Sequence, residues 1–495
     1  MTTSSPWKLD TEPRAFPALD ATIEVDVAII GGGIAGVVTA YELIKAGKKV
    51  ALVEQDRIAG GASGWTTAFV TQVTDASLTE LQRTFGSEHA ALVWKNGGQA
   101  IDEIERIVKA EKIECDFMRC PAYIFASDGD ALKKLHGEEG LAKSFGCSVK
   151  IDDASLGFST PGYLRVENQA KFHPVKFLTA LAERTEALGV QIFEKSKVVS
   201  YSGSLPCIVK TEKGEIRATE IVLATGMPLK DPDSASPRIT AYQTYVLVAT
   251  LPSGTLPDAI FWDTQKPYHY FRVDTFPTHD QIILGGEDHK TGQSSDPKAH
   301  FTSLENFLKK LLPDVKYDII RTWSGEILET IDGLPFIGKS HKNSHYLMAT
   351  GFSGNGMTFG VLSALINRDL ILGKKNDTEK LYRTLRFTGM RHFMERGYNY
   401  VMEFITGRTN NDAAILKNIK RDDGAIVEMN GKKIAVYKDA DGKVLKLSPV
   451  CTHLKCIVEW NGAGKSWDCP CHGSRFRKDG TVMNGPANSP LEKMD

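Results

Sequence analysis

The chain has 495 residues, a formal net charge of −1, 42% hydrophobic residues and eight cysteines. That length exceeds one compact core and points to two or three domains. The balanced charge gives no electrostatic footing for nucleic acid or an anionic membrane surface. Residues 1–23 read as a polar, proline-containing arm. The arm has no apolar core of the kind a secretory signal needs, and Arg14 stands apart from any second arginine, so a cytoplasmic protein is expected. The most hydrophobic stretch, Val27–Tyr41, is too short to span a membrane and is broken by four glycines, so no transmembrane segment is expected.

Glu24–Ile30 has strand character and feeds directly into Gly31-Gly-Gly33-Ile34-Ala35-Gly36. An amphipathic helix follows and stops near Gly47, and a second strand, Val50–Val53, ends in Glu54, eighteen residues after Gly36. Strand, glycines, helix, strand and acid in register form a dinucleotide-binding unit. Gly31 permits the tight turn, Gly33 lets the backbone approach a pyrophosphate, and Gly36 lets helix and strand pack closely. The amide end of the helix attracts phosphate, and Glu54 would accept hydrogen bonds from ribose hydroxyls. A buried strand–helix–strand unit with no ligand is the alternative.

Further along, Leu78–Lys112 carries apolar residues at helical spacing, as in Ile101, Ile104 and Ile107. A strand near Cys120–Ala126 precedes a helix over His173–Leu188 and a strand over Val190–Phe193. Another strand, Glu220–Leu223, ends in Ala224-Thr225-Gly226. Tyr242–Glu287 alternates apolar and polar residues and reads as antiparallel sheet, with Gly285-Gly286 taken as loop glycines. Tyr346–Ala349, Gly351–Gly356 and Met357–Leu372 read as strand, glycine-rich loop and helix. Residues 24–373 thus interleave a dinucleotide domain with a sheet domain. Residues 374–412 are charged and helical in pattern, a connector, and 413–495 break into short strands separated by Gly, Asn and Asp turns.

The last segment holds Cys451-Thr-His453, then fifteen residues, then Cys469-Pro-Cys471-His472. Two thiolates and two imidazoles in this order suit a [2Fe–2S] centre in which His₂ replaces Cys₂ on one iron. A structural Cys₂His₂ zinc site uses the same atoms. The extra cysteines, Cys456 and Cys471, and the following Gly473-Ser474 argue against zinc. The other four cysteines, Cys115, Cys120, Cys147 and Cys207, show no ligand spacing.

The two boxes, 451–456 and 469–474, together with Gly485-Pro486-Ala487, resemble the Rieske proteins of cytochrome complexes. The resemblance implies a Rieske [2Fe–2S] cluster on Cys451, His453, Cys469 and His472, and a disulfide between Cys456 and Cys471. Such a bond is unusual in a reducing cytoplasm unless burial shields it. Ser474 matches a serine that hydrogen-bonds a cluster sulfur in high-potential relatives, whereas Phe476 stands where they carry a tyrosine. One donor fewer implies a lower potential.

Gly60-Gly61-Ala62-Ser63-Gly64, Leu223-Ala-Thr225-Gly226, Trp323-Ser-Gly, Asp332-Gly-Leu-Pro335 and Gly351-Phe352-Ser353-Gly354-Asn355-Gly356-Met357 resemble motifs of the D-amino-acid oxidase family. The resemblance implies FAD at these loops and at Gly31, Gly33, Ile34, Ala35, Gly36 and Glu54. Trp65 stands where some relatives carry a covalently linked histidine, so non-covalent FAD is expected. The implied fold is an α/β, Rossmann-type FAD-binding domain interleaved with an antiparallel-sheet substrate domain, followed by a small all-β Rieske domain.

The same resemblance implies an FAD-dependent dehydrogenase of an amine or amino-acid-like substrate, with electrons passing from flavin to cluster to an unidentified acceptor. A flavin takes a pair of electrons and a cluster passes them singly. Tyr245, Tyr270 and Arg272 are the candidate substrate-positioning residues, with Tyr268 and His269 beside them. Alternation places Tyr268, Tyr270 and Arg272 on one sheet face, where Arg272 could clamp a carboxylate. Ordinary sheet packing is the competing reading, and His173 at a helix start is a further candidate. An electron relay to a partner enzyme and a redox sensor remain open as alternatives.

Overall fold

The computed structural model describes residues 2–3, 5–7, 13–227, 238–294, 296–340, 345–386, 416–429 and 431–494. Strand β1 (Val27–Ile30) of the parallel sheet is wholly buried and runs into Gly31, whose φ of +114° is open to glycine. A Cβ at Gly31 would overlap the Ala224 carbonyl, and one at Gly36 would overlap the Gly31 carbonyl. These two positions let α1 (Ile34–Lys45) start immediately beside the strand ends. Next comes β2 (Val50–Val53), also fully buried.

The amphipathic stretch expected over 78–112 is two helices, α2 (Leu78–Phe85) and α3 (Ser87–Glu111). Gly86 between them takes φ +85°, which ends the first ladder. Ser77 and Glu80 form a capping box that starts α2. Then follow β3 (Met118–Phe125), β4 (Tyr163–Lys171), α4 (Pro174–Ala187), β5 (Gln191–Phe193) and β6 (Glu220–Leu223).

The antiparallel region comprises β7 (Ile239–Leu251), β8 (Ile260–Asp263), β9 (His269–Thr275) and β10 (Asp280–Lys290). It continues through α5 (Ala299–Leu311) and β11 (Asp318–Thr330). The unit closes with β12 (Phe336–Lys339), β13 (Tyr346–Thr350) and α6 (Gly356–Ile371).

Two sheets organise these elements. A six-stranded sheet has the order β12-β13-β6-β1-β2-β5, parallel except for the β12–β13 pair. It carries α1 and α6, which touch so closely that a Cβ on Gly360 would lie 2.5 Å from Ile34 Cγ2. A ten-stranded sheet contains the run β11-β7-β10-β9-β8-β3-β4. Gly285 and Gly286, read as loop glycines, lie inside β10. A Cβ on Gly285 would strike the Tyr270 ring, and Gly286 sits at a register shift between β7 and β10 with φ +150°.

Of the connector segment, 374–386 is described and contains one helical turn, Glu379–Tyr382; 387–412 lies outside the described residues. The C-terminal unit has a three-stranded antiparallel sheet, β14 (Asp423–Met429), β15 (Lys432–Lys438) and β16 (Val444–Leu447). A four-stranded one follows: β17 (Glu459–Asn461), β18 (Ser466–Asp468), β19 (Arg475–Arg477) and β20 (Val482–Asn484). This unit has its own core, with Trp467, Phe476 and Val458 fully buried. Among the described residues, no helix is long and apolar enough to cross a membrane.

Candidate functional site

The glycine turn places the amide end of α1 at the edge of the parallel sheet. Gly33 caps it without a side chain, and the Ile34 amide donates to Ser63 Oγ at 3.0 Å. Glu54, at the end of β2, accepts from the Gly32 amide (2.8 Å) and the Asp56 amide (2.8 Å), while burial raises its carboxyl. Gly61 and Gly356 have open space where a Cβ would stand. Gly356 opens α6 beside the loop Gly351–Asn355, where Gly351 takes φ +72° and packs on Thr330 and Ile239. Gly226 takes φ +76°, its carbonyl accepts from Thr350 Oγ1, and Thr225 Oγ1 donates to the Met227 carbonyl at 2.8 Å. Ala35, Ala62, Phe352, Ser353 and Met357 lie in these same turns and helix starts. The motifs from five separate stretches thus line one cradle.

Beside the cradle, the sheet presents Thr244, Tyr268, Tyr270 and Asp288. Thr244 Oγ1 and Tyr270 Oη are 2.8 Å apart, and the Tyr268 and Tyr270 rings are 5.7 Å apart. Gly325 brings Trp65 O and Thr244 Cγ2 within 3.4 and 3.6 Å of its Cβ position, so this face meets the Trp65 loop. From the other side, Asp75 accepts from the Gly354 amide at 2.7 Å. Burial pushes the Asp288 carboxyl up to about 6 and raises Tyr268 and Tyr270, and the Asp75 charge adds to each. Asp75, Tyr268 and Asp288 nevertheless keep accessible surface. Groups that are desolvated yet reachable line a cleft.

Four candidates from the sequence are placed elsewhere. Arg272 does share the face of Tyr270, but its guanidinium is 3% exposed as a residue and fully engaged. It pairs with Asp274 (2.7 Å) and donates to the carbonyls of Thr67, Ala68 and Phe172. It therefore has no fork to offer a substrate carboxylate. Tyr245 points to the opposite face, stacked on His300 (4.6 Å) and His289 (5.6 Å). Alternation along β7 aims Thr244, not Tyr245, at the cleft, and the register shift sets Glu287 and Asp288 opposite Thr244. His173 caps α4 by accepting from the Lys176 amide and packs edge-on against Trp7, and burial drives its imidazole down to about 4. His269 is tied to Asp263 at 2.9 Å and faces Glu287.

In the C-terminal unit the two ligand boxes form facing loops. The His453 and His472 rings are 5.0 Å apart, nearly perpendicular. The thiols of Cys451 and Cys469 hydrogen-bond each other, which pulls Cys451 down to about 7 and pushes Cys469 up. Amides of His453 and Leu454 point at the Cys451 sulfur, and those of Cys471 and His472 at the Cys469 sulfur. Ser474, fully buried, lies against Cys451 and accepts from the Ala487 amide at 3.0 Å. Phe476 is also fully buried and has no hydroxyl to offer. Cys456 and Cys471 form a disulfide across 15 residues. The sulfurs of Cys456, Cys469 and Cys471 lie within 4.8 Å, but that bond removes two of the three from ligation.

The family model for FAD-dependent oxidoreductases (DAO) matches residues 26–370, and that for the Rieske [2Fe–2S] domain matches residues 412–495. The chain belongs to the DAO family and carries a Rieske domain. It is 32% identical over 498 residues to the Rieske 2Fe-2S iron-sulfur protein YhfW of Bacillus subtilis, covering 99% of this chain and 97% of that one. It is 24% identical over 374 residues to gamma-glutamylputrescine oxidoreductase of Escherichia coli, covering 72% of this chain and 86% of that one. Glycine oxidase from Geobacillus kaustophilus shares the fold, with a TM-score of 0.62 at 17% identity over 74% of this chain and 100% of that one.

The cofactors of this DAO–Rieske oxidoreductase are therefore FAD and a [2Fe–2S] cluster. The residues present fit both groups. Helix ends without side chains, Cβ-sized openings at Gly61 and Gly356, and Glu54 suit a dinucleotide. Paired thiols and imidazoles kept neutral by burial, as His472 is at about 4, suit an iron–sulfur centre. The Rieske domain sits on the DAO sheet. Gly473, next to the ligand His472, packs against Ala241 of β7 so tightly that a Cβ would overlap Ala241 Cβ. Gly292, after β10, would place a Cβ 2.8 Å from the Pro470 nitrogen. Gly485 faces Met227, and Arg477 reaches Asp56 at 3.3 Å.

Sequence reasoning missed Thr244, Asp75 and Asp288. For Asp288 a signal existed: Glu287-Asp288 is an acidic pair inside a strand whose preceding residues, Ile282–Leu284, are apolar and buried. An acid retained in such a strand needs a partner.

Proposed function

We propose that this oxidoreductase is a dehydrogenase of an amine or amino-acid-like substrate whose electrons leave through the Rieske cluster to a separate acceptor. FAD, when bound, supplies the acceptor for a hydride from the substrate. The chain's own part is placement. Gly31, Gly33, Ile34, Ala35, Gly36 and Glu54 would hold the adenosine and pyrophosphate portions, with Gly61, Ala62, Ser63, Thr225 and Gly226 around them. Gly351, Phe352, Ser353, Gly354, Asn355, Gly356 and Met357 would frame the ring. Cys451, His453, Cys469 and His472 would hold the cluster. A relative that acts on gamma-glutamylputrescine supports an amine as the electron source.

The strand between the two cofactor loops carries the electron path. Gly351 touches Ile239, and Gly473 touches Ala241, two residues further along β7. That spacing is about 7 Å of strand. One strand therefore separates the loop at the flavin from the loop at the cluster.

The test is Ala241→Leu, which pushes the Gly473 loop away while leaving both cradles intact. Anaerobic mixing with a panel of amines, N-methylated amines and amino acids would be followed by flavin absorbance and by paramagnetic resonance of the reduced cluster. Flavin bleaching at the native rate with cluster reduction delayed supports the path. Equal cluster reduction in both proteins removes it. If no compound bleaches the flavin, yet a flavin reductase reduces both centres, the chain is a relay.

A further inference from the structure

Among the described residues, this face gathers acids and aromatic rings. The groups acting on Tyr270 are Asp288, Thr244 and Asp75, and Glu329 adds to the negative surroundings of Tyr268. Among the described residues, the charges of Asp75 and Glu287 raise the Asp288 carboxyl further. Arg272, on the same sheet face, is consumed by Asp274 and three carbonyls. Lys171 is consumed by Asp258 and Asp274.

Within this setting Asp288 is anomalous. Thr244 and Tyr268 lie against its carboxyl, yet Oδ1 is shielded from solvent and has no hydrogen-bond partner. An uncompensated carboxylate in a desolvated cleft is costly unless a cation pairs with it. Tyr268 and Tyr270, tilted at 34° to one another, add ring faces that also favour a cation.

We propose that the cleft binds a cationic amine bearing no carboxylate on the carbon to be oxidised, with Asp288 as the ammonium anchor. This rests on the dehydrogenase reading and narrows its substrate class. In the reaction one Cα–H bond breaks, the hydrogen leaving with its electron pair to the flavin, and one ammonium proton passes to Asp288. The resulting iminium is hydrolysed by water to a carbonyl compound and ammonium. A carboxylate on the same carbon would face Asp75, Asp288 and Glu329, while Arg272 and Lys171 are held by other partners.

The test uses the flavin-loaded protein and matched pairs: butylamine against norvaline, and putrescine against ornithine, each amino acid as both enantiomers. Binding is read from perturbation of the flavin spectrum, so it does not depend on turnover. The amines are expected to bind, with the amino acids at least about tenfold weaker. Asp288→Asn should weaken amine binding by about tenfold or more at unchanged flavin content, and Asp288→Glu should restore part of it. Tighter binding of either amino acid than of its amine, or an Asp288→Asn protein with native amine affinity, overturns the proposal. Amine binding that depends on Asp288 without flavin bleaching upholds the anchor and overturns the dehydrogenase reading instead.

Discussion

Arg272 shows how one side chain can occupy a site-like position and serve the fold. Its guanidinium joins β9 to the loop at Thr67 and Ala68 and to the end of β4 at Phe172, and its plane lies 5.1 Å from the Trp7 ring. Burial pushes the Asp274 carboxyl up, but Arg272 and Lys171 outweigh it and hold Asp274 below the usual range. A carboxyl lowered on folding contributes stability above its unfolded value of about 3.9, lost as pH falls through the lower folded value. Arg272→Met should therefore cost about 3–5 kcal/mol at neutral pH, because it breaks a buried pair. Its acid transition should also begin at higher pH than that of the native protein. Thermal melts across pH 3 to 7 check both, and an unchanged acid limb counts against the pair. Period-two alternation does place Arg272 beside Tyr270. The carbonyls that consume it come from distant stretches of chain, which no local pattern contains.

Among the elements, those with a strong local signal were legible. The glycine turn, α1 and β2 follow from spacing alone, because Gly31 and Gly36 each answer a close backbone approach that the structure contains. The segment over 78–112 hid its break, since apolar spacing runs on through Gly86 while the backbone there turns to φ +85°. In β10 the pair Gly285-Gly286 carries turn chemistry, yet cross-strand geometry explains it. The Tyr270 ring lies over Gly285, and the register shift beside Gly286 sets Glu287 and Asp288 opposite Thr244. The consequence is testable. In Gly285→Ala the new methyl displaces the Tyr270 ring and breaks the Thr244–Tyr270 hydrogen bond. Substrate affinity should fall by about tenfold while flavin content and melting temperature change little, because the cradle lies on other elements. Titration of the reduced-flavin spectrum measures the first and cofactor release the second. A loss of flavin with no change in affinity would refute this division of labour.

At the scale of the whole molecule, the two units meet at Ala241 of β7, at Gly292 after β10, and at Met227 and Asp56. The C-terminal core around Trp467, Val458 and Phe476 is separate from the cores of the DAO unit, and the contacts between the units include polar ones, Arg477 with Asp56 and Lys197 with the Asn488 carbonyl. Such units unfold separately unless their interface is large and apolar. The smaller one depends more on its cross-link. Closing a 15-residue loop through Cys456 and Cys471 contributes about 3 kcal/mol in the chain-entropy account. Replacing both cysteines by alanine should lower the melting point of the Rieske unit alone. On heating, the iron–sulfur absorption and resonance signal should disappear well before flavin is released, whereas in the native protein the two losses lie closer together. Simultaneous loss in the double variant would mean that the contacts at Ala241 and Gly292 weld the units into one cooperative body. The single strand between the cofactor loops would then be part of one rigid block, and the spacing between flavin and cluster would be fixed by the fold of the whole chain.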